Sequence, residues 1–429
     1  MLDFIKNLKF PKNDKEFYEL YIQTGYKQYY TNINNEKTAH IIPINGMSLR
    51  IMDYQTQKFI YSHTISENEF NYLNHTLKSI ERSVFLKPKT STKKLKIELN
   101  GKKKQLLSYV NELLLNNNLK HNSTYLLIDD YKTYAINNNN KYVSSENNIY
   151  FSVEYEINSL IYKFRYIMNE FDDYVLLEKF QKAIHKEIEN SKLINTLQTD
   201  KYDLIMASGQ PAILFHECCG HLCEINKVIN RKSPFFNKIN NRVGSDCLTI
   251  IDDKFKLKKS SNLDDEGNIK QKVNLIKDGI LENYLTDYWS SKTLNYINTG
   301  NSRRECFEQY PESRMFCTYI ENGYSSFNDM ISNTKKGIYI KKLSDSYINH
   351  KNGNMISSID EGYLIENGKI INPIYGCNIA ERFSSILTNI DEIGNDLSFD
   401  SIMCSSDSGN IYVEIGQPTI KVKNIQVYQ

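Results

Sequence analysis

A stretch near the middle of the chain, AILFHECCGHLCE (residues 212–224), constrains the fold more than any other. It has the apolar character of a buried helix, and it carries His216, Glu217 and His221. These three resemble the metal-binding pattern H-E-x-x-H with one extra residue between the histidines. Five residues of an ordinary α-helix turn the second imidazole about 140° away from the first. A π-bulge, in which residues five apart are hydrogen-bonded, returns both to one face, so the spacing predicts a bent helix.

Three interpretations of this helix are open on its residues alone. In the first, His216 and His221 are hydrogen-bonded polar side chains beside the core. In the second, a structural zinc ion is bound by Cys218, Cys219, His221 and Cys223. Adjacent cysteines diverge on a helix, however, and the sequence lacks the C-x-x-C pair of most such sites. In the third, the two histidines and a distant residue hold a catalytic metal, and Glu217 is the base.

The composition is that of an ordinary globular protein. Hydrophobic residues make up 40% and charged residues 24% of the 429 positions, and this length is enough for two or three domains. The net charge of +2 favours neither nucleic acid nor an anionic membrane as a partner. No run of about 18 apolar residues predicts a transmembrane helix, and the N-terminus, with Asp3, is unlike a signal peptide. All eight cysteines lie from Cys218 onward, and so few in a chain of 429 residues do not make a disulfide scaffold, so we expect a cytoplasmic protein with reduced thiols.

The first 200 residues predict a domain of mixed helices and strands. Apolar and polar side chains alternate along one strand, whose apolar face is Ile149, Phe151, Val153, Tyr155 and Ile157. Residues 171–197 have apolar positions at helical spacing and predict a long amphipathic helix. The basic run KPKTSTKKLKIELNGKKK (87–104) contains an Asn-Gly pair, and it predicts a solvated hairpin rather than a polyanion site.

The second half of the chain is predicted to be mostly antiparallel β. Asp278-Gly279 and Asn367-Gly368 each separate two apolar runs, and such pairs adopt the positive φ of tight hairpin turns. We therefore predict an α+β protein in two parts. An N-terminal domain of mixed α and β structure (residues 1–200) leads into a largely antiparallel β C-terminal domain (201–429), which carries the helix with the histidines.

A series of further segments follows this helix in a set order. They are LTIIDDKF (248–255), LDDEGNIKQKVNLIKDGILENYLTD (263–287), TGNSRRE (299–305), PESRMFCTYIENG (311–323), EGYLIENGKIINPIYG (361–376), IGNDLSFD (393–400), MCSSDSGN (403–410) and IGQPT (415–419). From about residue 203 to the end, the sequence resembles the TldD/PmbA family of metallopeptidases, specifically its TldD-like subunit. The N-terminal half has no comparable motif and is aligned with the family by position only.

The resemblance implies a catalytic zinc site. Members with an intact H-E-x-x-x-H pattern are similar to zinc peptidases in which two histidines and a later cysteine hold the metal. Carried over to this sequence, the ligands are His216, His221 and Cys404, and Glu217 is the base that takes a proton from the attacking water. Three protein ligands leave one position for water, as in other catalytic zinc sites.

The sequence departs from the family pattern in two loops. The family usually has Gly-Lys-x-Gly-Gln after the cysteine, whereas here Cys404 is followed by SSDSGN (405–410). A glycine-rich stretch of the family near residues 343–350 is replaced by Ser344, Asp345 and Ser346. These changes predict a specialised relative with its own loop geometry or substrate fit.

Two charged clusters admit both a functional and a structural interpretation. Arg303 and Arg304 are candidates to bind the backbone or terminus of a peptide, since guanidinium groups pair with carboxylates in a bidentate manner. They are equally suited to a structural ion-pair network. The acidic triplet at 264–266 is more typical of a turn capped by its own carboxylates than of a second metal site.

The function implied by the resemblance is that of a cytoplasmic zinc-dependent peptidase acting on unfolded or extended peptides, including leaders of modified peptides. The family also implies a heterodimer, in which a PmbA-like (TldE-like) chain without the motif completes the chamber; a homodimer is the other arrangement. Members have been described as modulators of DNA gyrase, so a regulatory protein that retains a metal site is the competing hypothesis. A structural metal has no need of Glu217, which favours the enzyme.

Overall fold

The computed structural model describes residues 4–5, 8–11, 15–87, 94–99, 101–193, 197–258, 261–349 and 353–429. The N-terminal strands are β1 (Phe17–Ile33), β2 (Glu36–Met52), β3 (Gln57–Ser62), β4 (Val84–Leu86), β5 (Leu95–Lys96), β6 (Lys120–Asn137), β7 (Lys141–Ile157) and β8 (Leu160–Met168). The later strands are β9 (Asp200–Met206), β10 (Ile250–Asp253), β11 (Val273–Lys277), β12 (Ile280–Leu281), β13 (Ser302–Arg303), β14 (Glu312–Ser313), β15 (Cys317–Ile320), β16 (Lys336–Ile348), β17 (Asn354–Glu366), β18 (Lys369–Ile374), β19 (Cys377–Arg382), β20 (Ile390–Ile393), β21 (Ser398–Ser406), β22 (Gly409–Gln417) and β23 (Ile420–Tyr428).

The two longest α-helices within the described ranges lie in the N-terminal half of the chain, and those of the C-terminal half are short. They are α1 (Glu67–Lys78), α2 (Gly101–Asn116), α3 (Asp173–Ser191), α4 (Ile213–Phe215), α5 (Ile225–Ile229), α6 (Tyr288–Leu294), α7 (Phe327–Ser332) and α8 (Phe383–Thr388). In the part of the chain that the structure describes, none of the helices has both the length and the hydropathy of a bilayer-spanning segment.

The N-terminal strands form one sheet, in the order β4-β3-β2-β1-β6-β7-β8 with β5 paired to β2. A tight turn at Asn34 and Asn35, both with positive φ, joins β1 to β2. The alternation predicted for β7 is confirmed, because its buried apolar side chains are Ile149, Phe151, Val153, Tyr155 and Ile157. This face packs against α2 and α3, where fully buried Phe180 contributes roughly 1.5–3 kcal/mol.

The helix α3 is the amphipathic helix predicted over 171–197. It begins after Asp172, whose side chain accepts a hydrogen bond from the backbone N–H of Val175 at 3.0 Å. Its buried positions, about one turn apart, are Leu176, Phe180 and Ile184. Residues 194–196, near the end of the predicted range, lie outside the described residues.

The hairpin predicted over 87–104 is wrong in its second half. Residues 88–93 and 100 lie outside the described residues, and β5 pairs with β2. From Gly101 the chain forms the helix α2 instead of a returning strand. The apolar residues beyond the basic run recur at helical spacing, and those buried are Leu106, Leu107, Val110, Leu113 and Leu114. Burial of this apolar face stabilises the helix, and it outweighs the tendency of the Asn-Gly pair to form a hairpin turn.

The chain from β9 onward forms two large sheets and the two-stranded sheet β13-β14. The predicted α+β class and the largely antiparallel second half are therefore confirmed. One sheet has the order β12-β11-β10-β15-β22-β21, and the other has the order β16-β9-β23-β19-β17-β18 with β20 paired to β23. Among their described pairings, β15–β22 and β9–β16 run parallel and the others antiparallel. The domain boundary near residue 200 remains a prediction.

Both tight turns predicted from sequence are confirmed. Asp278 and Gly279, with φ of 49° and 76°, join β11 to β12. Asn367 and Gly368, with φ of 48° and 77°, join β17 to β18. Asparagine, aspartate and glycine adopt this left-handed conformation at the lowest cost, which is why these pairs mark hairpins in a sequence.

The acidic triplet at 264–266 forms the capped turn that its sequence predicts. The carboxylate of Asp264 accepts hydrogen bonds from the backbone N–H groups of Glu266 at 3.0 Å and Asn268 at 2.8 Å. Glu266 is also ion-paired with Arg50 on β2. The turn therefore ties the C-terminal half of the chain to the N-terminal sheet.

Candidate metal centre

The helix that carries the histidines is bent at the place that their spacing predicts. It starts as α4, continues as a π-helix over His216–Gly220 and ends as a 3-10 turn over His221–Cys223. The backbone N–H of His221 donates to the carbonyl of His216, which is the hydrogen bond between residues five apart that defines a π-bulge. The predicted bend is confirmed, and the centroids of the two imidazole rings lie 4.8 Å apart.

Gly220 is required in this helix by space rather than by backbone conformation. Its φ and ψ are ordinary helical values of −54° and −60°. A Cβ placed on Gly220 would lie only 1.9 Å from Sδ of Met315, whose side chain is fully buried. The glycine therefore allows Met315 to pack directly against the bent helix.

We expect Gly220→Ala to destabilise the fold by about 1–3 kcal/mol, because the added methyl group overlaps a side chain in a filled core. The measurement is the free energy of unfolding in denaturant. In a Met315→Ala background the methyl group enters vacated space, so Gly220→Ala should cost less there than in the wild type. An equal cost in both backgrounds would show that Met315 is not what excludes a side chain at this position.

Cys404 contacts the two histidines in space, although it lies far from them in sequence. It is on β21, where antiparallel pairing with β22 sets it opposite Ile411. Its Sγ lies 3.3 Å from Nε2 of His216 and 3.2 Å from Nε2 of His221, which is 183 residues away along the chain. All three side chains are buried, and their donor atoms lie within 4.8 Å of one another.

The donor atoms of this group fit a tetrahedral zinc ion. Zinc binds thiolate sulfur at about 2.3 Å and imidazole nitrogen at about 2.0 Å, which sets the two donors about 3.5 Å apart in a tetrahedron. The observed separations between sulfur and nitrogen, 3.3 and 3.2 Å, are close to that value. Imidazole and thiolate are also donors that zinc accepts readily, whereas magnesium and calcium prefer oxygen.

The surroundings of Cys404 favour its thiolate, the form that binds metal. Burial acts to raise the pKa of this thiol, but the charge and hydrogen bonds of the two imidazoles hold the pKa well below its ordinary value. Arg314 adds a hydrogen bond from Nη2 to Sγ at 3.1 Å. An anionic sulfur is therefore stabilised in a buried place where an isolated charge would be costly.

Glu217 is the least buried of the four residues predicted to form the site. It follows His216 directly on the π-helix, and its side chain is half-buried. A carboxylate that takes a proton from water must lie beside the metal and remain within reach of solvent. Glu217 is next to the proposed ligand His216 in sequence and is partly exposed, and its role as the base remains a prediction.

The helix cysteines do not form a structural zinc site with His221. Cys218, Cys219 and Cys223 are fully buried in the core of the C-terminal half, where they pack as small side chains. Burial raises the pKa of the Cys218 thiol well above its ordinary value, which keeps that thiol neutral. Over the described residues, the one group with metal-ligand geometry comprises His216, His221 and Cys404.

The C-terminal half of the chain also matches known proteins. Residues 199–429, more than half of the chain, match the PmbA/TldA metallopeptidase C-terminal domain. The chain belongs to the PmbA/TldD metallopeptidase family. A metalloprotease TldD homolog of Buchnera aphidicola is 37% identical over 232 residues, which are 53% of this chain and 48% of that protein, so the match spans about half of the relative's length. A zinc metalloprotease TldD homolog of Saccharolobus solfataricus is 27% identical over 410 residues, 89% of each chain.

Two solved structures share the fold of this PmbA/TldD-family chain over nearly its whole length. TldE from Thermococcus kodakarensis has a TM-score of 0.72 and 16% identity, and the match covers 97% of both chains. A Thermotoga maritima protein described as a proposed modulator of a DNA gyrase has a TM-score of 0.73, 16% identity and the same coverage. At this level of identity, the likeness establishes the fold alone.

Arg303, predicted to bind substrate, is held by backbone and aromatic contacts. Its Nη1 donates to the carbonyl of Met315 at 2.6 Å, and its Nη2 donates to the carbonyl of Tyr412 at 2.8 Å. The guanidinium lies 4.5 Å from the centroid of the Phe316 ring. Arg303 is half-buried at a cavity of about 70 Å³ that Lys270 also lines. A role in binding a peptide remains a prediction for this residue.

Arg304 lies in an ion-pair network between the two halves of the chain. Its guanidinium is paired with Glu19 on β1 and donates to the hydroxyl of Ser48 on β2 at 3.3 Å. Its backbone N–H donates to the carboxylate of Asp265 at 2.7 Å. Because Arg304 is almost fully buried, these contacts favour the structural interpretation over peptide binding.

Two residues that sequence reasoning missed contact the proposed ligands. Glu224 ends the stretch 212–224, and its Oε1 lies 3.0 Å from Nδ1 of His221. Arg314, inside the segment PESRMFC, contacts Cys404. Both side chains are fully buried. The sequence carried no clear signal for either residue, because charged residues are usually exposed.

The loop that departs from the family pattern is a two-residue hairpin turn between β21 and β22. Ser406 and Gly409 pair across it, with Asp407 and Ser408 at the tip. Gly409 has φ of 96°, which favours glycine. Nη1 of Arg314 donates to the hydroxyl of Ser408 at 2.9 Å and to the carbonyl of Gly409 at 3.1 Å. The serine-rich loop is thus well anchored despite its unusual sequence.

Proposed function

We propose that this chain is a zinc-dependent peptidase and the catalytic subunit of a TldD/TldE-type complex. The observation that carries the proposal is the close approach of His216, His221 and Cys404. Sγ of Cys404 lies within 3.3 Å of the Nε2 atoms of both histidines. Membership of the metallopeptidase family adds support, since the relatives from Buchnera and Saccharolobus are named metalloproteases.

The proposed mechanism gives each site residue one task. His216, His221 and Cys404 hold the ion, and Glu217 is the base. When bound, zinc polarises the peptide carbonyl and makes water acidic enough to attack at neutral pH. Glu217 accepts the proton of that water at its carboxylate and returns it to the leaving amine. The histidines bind as neutral imidazoles with their lone pairs occupied, so they are not available as the base.

The substrate that we infer is an unfolded or extended peptide. β21, which carries Cys404, is the outer strand of the six-stranded sheet. An outer strand offers unpaired backbone groups, and an extended peptide can pair with them whatever its side chains are. Leader removal from modified peptides is one such reaction. The serine-rich turn at 405–410 favours a dedicated substrate, and broad cleavage of unrelated peptides would count against that preference.

The partner that we propose is a PmbA-like (TldE-like) chain. Support comes from the fold that this chain shares with TldE from Thermococcus kodakarensis along 97% of its length, since subunits of one fold form pseudo-symmetric pairs readily. A homodimer is the other arrangement. Mass measurement of the complex copurified from the native host separates the two, because only a heterodimer contains a chain of different sequence and mass.

Removal of zinc tests the proposed activity. We expect the purified chain with its TldE-like partner to cut an unstructured peptide, and we expect a zinc chelator to abolish this cleavage. Added zinc should restore cleavage, whereas magnesium should not, because magnesium prefers six oxygen donors. Products are measured by mass spectrometry, and bound zinc is measured on the same samples.

The competing hypothesis is decided by the same experiment. If the zinc-loaded complex cuts neither unstructured peptides nor a peptide library, the peptidase proposal fails. The metal site then belongs to a binding protein of the kind suggested by the gyrase-modulator description of the Thermotoga structure.

A further inference from the structure

A buried ion pair lies behind two of the three proposed ligands. Oε1 of Glu224 is 3.0 Å from Nδ1 of His221 and 3.7 Å from Nε of Arg314. Nη2 of Arg314 is 3.1 Å from Sγ of Cys404. The side chains of Glu224 and Arg314 are both 0% exposed. The third ligand differs, since Nδ1 of His216 is buried without a hydrogen-bond partner in the described part of the chain.

Glu224 decides which nitrogen of His221 is free to bind metal. An ionised carboxylate accepts hydrogen bonds and cannot donate them, so Nδ1 of His221 carries the hydrogen. The lone pair is then on Nε2, which is the atom that faces Cys404 at 3.2 Å. A carboxylate behind a metal-binding imidazole fixes the ring orientation and raises its basicity.

Arg314 holds both the thiolate and the turn that follows it. Nη2 donates to Sγ of Cys404 and to its carbonyl, the latter at 2.9 Å. Nη1 donates to the hydroxyl of Ser408 and the carbonyl of Gly409. Four acceptors are therefore served by one planar guanidinium, an arrangement that the single ammonium of lysine does not reproduce.

We propose that Glu224 and Arg314 are positioning residues of the zinc site, acting as one ion pair that presets His221 and Cys404 for the ion. This inference rests on the proposed zinc-dependent function. The opposite charges allow both side chains to be buried together, whereas either alone would be an uncompensated buried charge. The pair links a ligand on the bent helix to a ligand on β21, and the two ligands are otherwise carried by separate elements.

An effect of charge and an effect of position predict opposite results for the loss of Arg314 and the same result for the loss of Glu224. If the pair acted through charge alone, loss of the carboxylate would weaken the binding of a divalent cation and loss of the guanidinium would strengthen it. If the pair acts by position, each loss leaves a ligand without support, and both losses weaken binding. Partners of this kind typically contribute about 10- to 100-fold to metal affinity.

The test is the zinc affinity of the full chain, measured by competition with a chelator. Glu224→Gln and Arg314→Met are each expected to weaken binding by about 10- to 100-fold. The double variant should lose less than the product of the two single effects, because each change removes the same support. Cobalt(II) gives a second readout. Without the N–H to sulfur bond, the thiolate-to-cobalt charge-transfer band of Arg314→Met should move to longer wavelength.

Arg50→Met and Glu266→Gln are matched controls, since Arg50 and Glu266 form a fully buried ion pair that does not touch the ligands. We expect them to lower stability and leave zinc affinity unchanged. If Arg314→Met does not fold, Arg314→Lys keeps the charge without the planar fork and should also weaken binding.

Two outcomes overturn the inference while the wild type still binds zinc. One is tighter zinc binding by Arg314→Met, and the other is unchanged affinity in both single variants. A wild-type chain that binds no zinc overturns the proposed function and the inference together, so the two failures are distinguishable.

Discussion

Glu217→Gln is expected to lower kcat/KM for peptide cleavage by about 10²–10⁴-fold, the usual contribution of a general base. The amide has nearly the same shape as the carboxylate but does not take a proton from water. Because Glu217 is adjacent to the ligand set without belonging to it, zinc content should remain equal to that of the wild type. The measurement is the rate of cleavage of an unstructured peptide by the zinc-loaded complex, together with its zinc content.

The control for this variant is Glu112→Gln, which makes the same chemical change at an exposed position of α2. Its cleavage rate should equal that of the wild type. Full activity of Glu217→Gln would remove Glu217 from the mechanism and leave the base unidentified. Loss of zinc together with activity would instead show that Glu217 supports metal binding.

Cys404→Ser is expected to weaken zinc binding by roughly 10²–10³-fold. Four-ligand structural zinc sites bind with roughly 10–16 kcal/mol, so one ligand contributes roughly 3–4 kcal/mol. A serine hydroxyl does not ionise at neutral pH and is a poor zinc donor compared with a thiolate. Chelator competition measures the affinity, and peptide cleavage should fall in parallel at limiting zinc.

The matched control for Cys404→Ser is Cys377→Ser. Cys377 is also buried, on β19, and its thiol donates a hydrogen bond to the carbonyl of Tyr375. Serine at this position introduces the same polar atom into the interior and should leave zinc affinity unchanged. Zinc binding by Cys404→Ser as tight as that of the wild type would exclude Cys404 as a ligand.

Local sequence patterns predicted those parts of the fold that local physics controls. The five-residue spacing between His216 and His221 required a π-bulge, and the structure has one. Asp278-Gly279 and Asn367-Gly368 predicted their hairpins because positive φ is a property of the residues themselves. The hairpin predicted over 87–104 was wrong because a local turn tendency was the only evidence for it. In the structure, burial of apolar residues further along α2 outweighs that tendency.

Residues that act across long distances could not be found from local patterns. Nothing in the sequence around Cys404 indicates a histidine partner 183 residues away, and only the family resemblance proposed it. Arg314 and Glu224 were missed because charged residues are usually exposed, and a single sequence does not show which ones are buried. Arg304 is similar: its pairing with Glu19 brings together positions 285 residues apart.

The separation between His221 and Cys404 along the chain has a consequence for the order of assembly. An ion held by both closes a loop of 183 residues, and a cross-link over such a loop restricts the unfolded chain by about 5 kcal/mol. The ion can bind in this way only after the last hairpin, β21 and β22, has docked on the bent helix. A peptidase whose metal ligands are arranged in this way has no complete metal site while its own chain is still unfolded. Under the proposed function, peptidase activity therefore begins only after the chain that carries it has folded.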